Sequence, residues 1–459
     1  MRFGAVIAVA LLAVDPFGWD RFGPLRWAVI STIGFAAIAI SLGAGDSRSQ
    51  PLPRWSVIGW VAVMSGMGVS AALSTDRWHA FVGTPDRHLG FAAWVLFVGL
   101  FAVASLYPNS AVSGISRASA AAAIGCGVWA ILEAAGFDAF DTGFVDDRVG
   151  GPLGQPAFLG AAMLLAVPVA ASLAVDRANG LAVRVLGASG ALLGAVALGL
   201  SQSRAAWVGV SVAAICVVVR RRKRMLGVLG LVIVVALWFI TPLGERASTL
   251  TEFDTGVVAG RLDEWQVASR ALFDTPTFGL TGHGPEGYRT VFGAHVDEGY
   301  VIRHGRDVIT DRAHNGLLDT TLTGGFLAGV GMVLLQAGLV VTSLQRMRST
   351  DPIDVGLSAA IIGYLTQQFF LFPLSELDPV LWVFSGLLIA RRPQRVEYRP
   401  PLFASVSGAR QLMMLGALFL AAASAVAGLS DVAADHAIDE AVAALDGEDP
   451  DSGQRALRL

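Results

Sequence analysis

Arg204 stands at the tip of a very short hairpin, Leu200-Ser201-Gln202-Ser203-Arg204-Ala205-Ala206-Trp207, between two apolar stretches. A charge held at a membrane boundary between packed helices is costly unless it meets a partner. Guanidinium binds phosphate through two prongs and stays protonated, so this position suits a diphosphate at lipid-headgroup depth. His314 lies in Asp311-Arg312-Ala313-His314-Asn315-Gly316, where a polar segment gives way to an apolar one. Imidazole titrates in the physiological range, which fits a general base for a hydroxyl, with Asn315 orienting the base or the acceptor. The same His-Asn pair also fits a helix cap. A third stretch, Gly260-Arg261-Leu262-Asp263-Glu264-Trp265, opens an expected helix that reaches Phe273.

Metal chemistry has little to stand on. Asp146-Asp147 and Asp263-Glu264 are the carboxylate pairs to consider, but adjacent acids tend to project apart or pair with nearby arginine. Asp15 and Asp20 are separated by a proline-containing turn and do not form an Asp-x-Asp motif. No metal and no cofactor is expected. Cys126 and Cys216 both fall in apolar blocks and read as packing residues. His79, His88, His283, His295, His304 and His436 lack a setting like that of His314 and read as solvated or structural.

The elements that position these residues follow from composition. The chain has 459 residues, 54% apolar and only 15% charged, with a net charge of −3, which excludes a disordered chain and a nucleic-acid binder. Its apolar residues gather in blocks long enough to cross a bilayer as helices. The expected spans are 3–14, 25–42, 55–73, 89–106, 118–135, 156–175, 181–200, 205–219, 225–240, 317–344, 355–372, 379–390 and 412–429. The fold class is therefore all-α, a polytopic transmembrane bundle of about 12–13 spans carrying a large extracytoplasmic loop. The basic run Arg220-Arg221-Arg222-Lys223-Arg224 is expected inside by the positive-inside rule. Alternation from there places Arg2, Arg48, Arg54, Arg117, Arg177, Arg184, Arg346, Arg348 and the arginines from 391 to 410 inside as well. The N-terminus is then inside, the C-terminus is outside, and most acids face outward. The expected parts are a bundle over 1–240, an outer loop subdomain over 241–313, helices over 314–429, and an outer tail over 430–459 resembling a partial helical repeat.

Four ordered stretches resemble the O-antigen ligase and polymerase family of bacterial envelope glycan transferases. They are Trp78 with Gly83-Thr84-Pro85-Asp86-Arg87-His88-Leu89-Gly90; Gly150-Gly151-Pro152-Leu153-Gly154-Gln155-Pro156; Ser201-Gln202-Ser203-Arg204-Ala205-Ala206; and Arg261 and Trp265 through Gly279 and Gly284 to His314-Asn315. The resemblance implies a metal-independent, inverting transferase of the membrane glycosyltransferase C type, in the bacterial cytoplasmic membrane. It implies an undecaprenyl-diphosphate-linked glycan as donor, and a glycan, lipid or protein as acceptor. Carried over, Arg204 and Arg261 hold the diphosphate and His314 activates the acceptor. Arg87, Arg148 and Asn315 become contacts to the diphosphate, glycan or acceptor. Ligase and polymerase are not separated by these motifs. An exporter or flippase for an envelope lipid or polysaccharide is the reading from a different class, since an apolar bundle with arginine-lined cavities also serves transport. No inverted repeat of the kind common in carriers is apparent.

Overall fold

A computed structural model of the chain describes residues 2–43, 52–106, 109–137, 148–221, 257–274, 276–305, 309–391 and 407–446. Every regular element among them is helical. Among the described residues, seven helices are long and apolar enough to cross a membrane: α2 (Pro24–Gly43), α3 (Arg54–Leu73), α6 (Asn109–Ala134), α7 (Pro156–Val175), α8 (Leu181–Ser201), α14 (Gly316–Arg346) and α17 (Ser407–Asp446). This is a multi-pass membrane protein. Shorter apolar helices, α1 (Arg2–Leu12), α5 (Phe91–Ser105) and α16 (Asp378–Ala390), accompany three further expected spans. Two more coincide with α9 (Arg204–Arg221) and α15 (Pro352–Gln367). The expected span at 225–240 lies outside the described residues. At about 1.5 Å per residue, α1 is only half a bilayer core in length. Its Phe3, Val6, Ile7, Ala10 and Leu11 are fully buried, so it is an internal packing element against α6 rather than a peripheral anchor.

Two polar layers cap this bundle. One gathers the start of α14, the end of α15, the start of α7 and the turn before α5, and it carries the candidate site. At the other end, Arg346 pairs with Asp354 at 2.5 Å, and Arg391 pairs with Asp354 and Asp351. There Arg410 also donates to the Leu42 carbonyl. The apolar middle is shared by Trp60, Phe101 and Trp382 where α3, α5 and α16 converge; Trp382 meets both other rings edge-on, and Trp60 and Phe101 are tilted against each other.

α14 is not one straight helix. Gly325 has φ 73° and ψ 177°, outside helical space and accessible to glycine. The carbonyls freed by the break are met by the segment that precedes α14: the amides of His283 and Gly284 donate to Leu322 and Thr323 at 2.8 and 3.2 Å. Ser70 of α3 joins them, donating to the Thr323 carbonyl and accepting from the Gly284 amide. α11 (Pro276–Thr281) packs against this break. The tail differs from the expected division, because α17 runs unbroken past residue 430 to Asp446 and packs along α2. Its Asp435 accepts from the Asp20 amide at 2.9 Å, and His436 contacts Asp15 at 2.8 Å.

Candidate functional site

The polar segment between α9 and α14 contributes a small unit of its own: α10 (Val257–Phe273), α11, α12 (Tyr288–His295) and α13 (Glu298–His304). Its core is Val267, Ala268, Ala271, Leu272, Tyr288, Phe292 and Tyr300, continued into Ala313 and Leu322. α10 carries Arg261 and Glu264 one turn apart, a spacing that places both on one face. Arg261 Nη1 lies 2.6 Å from Glu264 Oε2. Asp263, one residue away, points elsewhere: Arg303 grips it with both prongs at 2.8 and 2.7 Å, and His304 contacts it at 2.9 Å. The expected divergence of the two acids is therefore observed, with arginine partners for each. Among the described residues no three His, Cys, Asp or Glu side chains form a metal-holding group; Asp146 and Asp147 lie outside those residues.

His314 enters just before α14 with a left-handed backbone, φ 47°. Asn315 holds that conformation from the next position. Its side-chain oxygen accepts from the amides of Leu317 and Leu318, both at 3.1 Å, and its amide donates to the Phe369 carbonyl at 3.2 Å. The Gly316 amide donates to the Gln368 carbonyl at 2.7 Å. Asn315 is thus a helix cap tied to the turn after α15. The imidazole of His314 is directed onto α10, where Nδ1 is 3.2 Å from Glu264 Oε2, and its ring meets Phe372 edge-on at 5.3 Å. His314 and Glu264 keep 19% and 15% of their side-chain surface exposed, so the pair is reachable yet largely desolvated. Burial pushes the Glu264 carboxyl up, but His314 and Arg261 together hold it below the usual carboxylate range.

Phe372 also bears on two cations. Arg87 lies 4.9 Å and Arg312 5.8 Å from its ring centroid. Arg87 Nε pairs with Asp311 at 2.6 Å, and its backbone carbonyl accepts from Ser375 at 2.7 Å. Arg312 is 1% exposed and bridges Glu286 at 2.6 Å and Asp319 at 3.3 Å. Glu286 in turn accepts from the Leu89 amide at 2.7 Å and the Thr84 hydroxyl at 3.3 Å. Its carboxyl is pushed up by burial despite Arg312. The stretches 83–90 and 311–315 are consequently joined through Glu286.

Arg204 opens α9 two residues after Gln202, whose φ of 48° turns the chain out of α8. This hairpin lies on the first turns of α7: a Cβ on Gly160 would stand 2.7 Å from the Ala206 Cβ and 2.9 Å from that of Ser203. The same turns reach the site, since Gln367 donates to the Ala157 carbonyl at 3.0 Å and the Phe158 ring lies 6.2 Å from Phe372. Arg204 therefore sits at the site end, one helix removed from Phe372. Arg148 precedes a turn whose Gly150 and Gly151 amides both donate to the buried Glu133, at 2.9 and 2.7 Å. Glu133 is a structural anchor of that turn. Arg261, His314, Asn315 and Arg87 are gathered around Glu264 and Phe372, while Arg204 lies at the same end beyond α7 and Arg148 precedes the Glu133-bound turn. Glu264 as a partner of His314, Arg312, Glu286 and Phe372 were not singled out from sequence. The adjacency of Arg312 to His314 was the one signal available.

Residues 189–333 match the family described as O-antigen ligase. That match begins inside α8, ends inside α14, and takes in Arg204, Arg261, Glu264, Arg312, His314 and Asn315. The comparison with curated proteins finds no match for the chain.

Proposed function

We propose, from the O-antigen ligase domain at residues 189–333, that this chain moves a saccharide from undecaprenyl diphosphate to an acceptor hydroxyl at the outer face of the bacterial cytoplasmic membrane. The observation that carries this reading is the meeting of α10 with the start of α14. It brings Arg261 and His314 onto the same carboxylate, Glu264, at one end of the bundle, beneath an extramembrane unit. In the proposed reaction His314 takes the acceptor proton and the acceptor oxygen attacks the anomeric carbon from the face opposite the diphosphate. The bond to the diphosphate breaks with its electron pair leaving on phosphate oxygen, and the anomeric centre inverts. Diphosphate is a good leaving group, and fixed cations at its developing charge supply much of the catalysis. Arg204 and Arg261 take that role, with Arg87 and Arg148 as further contacts to diphosphate or glycan, and Asn315 setting the entry of His314. The arginines at the opposite end, Arg346, Arg391 and Arg410, support an outward-facing site through the positive-inside rule.

The test is a reconstituted assay with undecaprenyl-diphosphate-linked glycan and an acceptor-bearing membrane extract. His314→Ala is expected to lose about 10²–10⁴-fold in transfer while retaining donor binding, the range typical of general-base help. Arg204→Lys and Arg261→Lys are expected to accumulate normally and lose most activity, because lysine keeps the charge without the planar fork. Wild-type turnover by all three variants refutes the assignment.

A further inference from the structure

Glu264 has no part in the transfer scheme above, yet its carboxylate is the group in contact with the His314 ring nitrogen. The contact is built from both sides. On α10, Arg261 restrains the same oxygen, Oε2, that faces Nδ1, at 2.6 and 3.2 Å respectively. On α14, the left-handed backbone of His314, the Asn315 cap and the Gly316–Gln368 bond leave the imidazole little choice of direction. Phe372 closes one side of the ring. Among the described residues none bonds to Nε2, which leaves that nitrogen as the one available to a substrate.

We propose that Glu264 is the positioning residue of the base: as a carboxylate it turns Nδ1–H of His314 toward itself, keeps Nε2 unprotonated and available, and stabilises the imidazolium produced during transfer. This rests on the transferase reading. The acceptor O–H bond breaks, its proton bonds to Nε2, the new glycosidic bond forms, and the diphosphate departs with the electron pair. The positive charge that appears on the ring is then balanced across Nδ1 by Glu264. A base oriented by a second acid through its other nitrogen is a recurrent arrangement, because it fixes the tautomer and the ring plane together. Other charges face the ring. Asp311 and Asp319 lie close enough for their ionisation to be linked to its charge, and each has its own arginine, Arg87 and Arg312. Tyr288 and Tyr300 surround Glu264 on the α12 and α13 side. Of the carboxylates around the ring, Glu264 is the one paired with it directly.

Glu264→Gln keeps size and removes the charge. A neighbouring carboxylate favours the protonated ring, so its loss favours the neutral ring at lower pH. The acid limb of the transfer rate, where activity falls as the base becomes protonated, is therefore expected to move to lower pH. On the plateau kcat should drop by about 10–10³-fold, less than the roughly 10⁴-fold loss seen when a triad carboxylate is neutralised. An acceptor-independent reading is carbethoxylation of His314 by diethyl pyrocarbonate, followed by mass spectrometry between pH 5 and 8; its midpoint should move in the same direction. A slower enzyme with an unmoved limb and an unmoved midpoint reduces Glu264 to a structural contact and overturns the proposal. If Glu264→Gln does not accumulate, Glu264→Asp serves: it retains the charge but withdraws it, and wild-type kcat in that variant overturns the proposal as well. His314→Ala separates the two levels. Full activity in that variant removes the transferase role of His314, whereas an inactive His314→Ala beside an unaltered Glu264→Gln removes only the role of Glu264.

Discussion

Arg312 and His314 are two residues apart and do opposite things. His314 is left partly open beside Glu264, while Arg312 is sealed between Glu286 and Asp319. Three desolvated charges in contact are costly to assemble, and removing one leaves the others unbalanced at a cost of about 3–5 kcal/mol. Arg312→Met is therefore expected to lower accumulation and the unfolding temperature in detergent sharply, whereas Arg289→Gln, which breaks an exposed pair with Asp86, should leave both unchanged. Thermal unfolding followed by intrinsic fluorescence checks the contrast; equal stability of the two variants contradicts the assignment of Arg312 as a structural charge. Sequence carried no warning of this difference. Nearly all the basic residues are arginine, so residue type alone does not sort structural from functional cations. The partners of Arg312 lie at 286 and 319, beyond any local pattern.

The break in α14 is what admits the 282–284 segment to the bundle. Gly325 lies in backbone space that costs a side-chain-bearing residue about 1–3 kcal/mol, and a Cβ there would run into the Leu280 carbonyl. Gly325→Ala should loosen α11 and the 282–284 segment, seen as faster hydrogen exchange and proteolysis over 276–285 with lower transfer. Gly293→Ala is the control: Gly293 is helical in α12 with open space around its Cβ position, so alanine should be neutral or stabilising by up to about 1 kcal/mol. Unchanged exchange in Gly325→Ala contradicts the role of the break. The spans themselves were largely legible, since apolar length dictates a membrane helix whatever it packs against. The helix opened by Arg261 and the entry of His314 beside an apolar run were legible for the same local reason. The kink was not: Asp319-Thr320-Thr321-Leu322-Thr323 and the Gly324-Gly325 pair interrupt the apolar pattern of 317–344, but glycine inside a helical pattern fits an unbroken helix as well as a kink. Nor was the meeting of Glu264 with His314, which depends on how α10 folds back onto α14 rather than on either segment alone. The short helix α4 (Arg77–Val82) escaped too, because six residues give no readable period.

At the scale of the molecule, a bundle of apolar helices carries a polar unit at one end and a set of arginine–carboxylate clasps at the other. The residues that match the O-antigen ligase family run from α8 to α14, so they contain the hairpin arginine, the α10 unit and the histidine, while Arg87 and Phe372 come from outside the match. On the proposed reading this assembly acts on a lipid-borne group at the membrane surface, in contrast to a carrier, which would pass the lipid through intact. The most direct measurement follows both products in proteoliposomes. Purified protein is given undecaprenyl-diphosphate-linked glycan and an acceptor-bearing membrane extract with excess chelator, and mass spectrometry quantifies free undecaprenyl diphosphate and glycan on the new acceptor. Equal amounts of the two products are predicted, undiminished by chelation, because arginine neutralises the leaving diphosphate. Donor that crosses the bilayer with its glycan still attached, or cleavage that stops in chelator and returns with magnesium, contradicts the account.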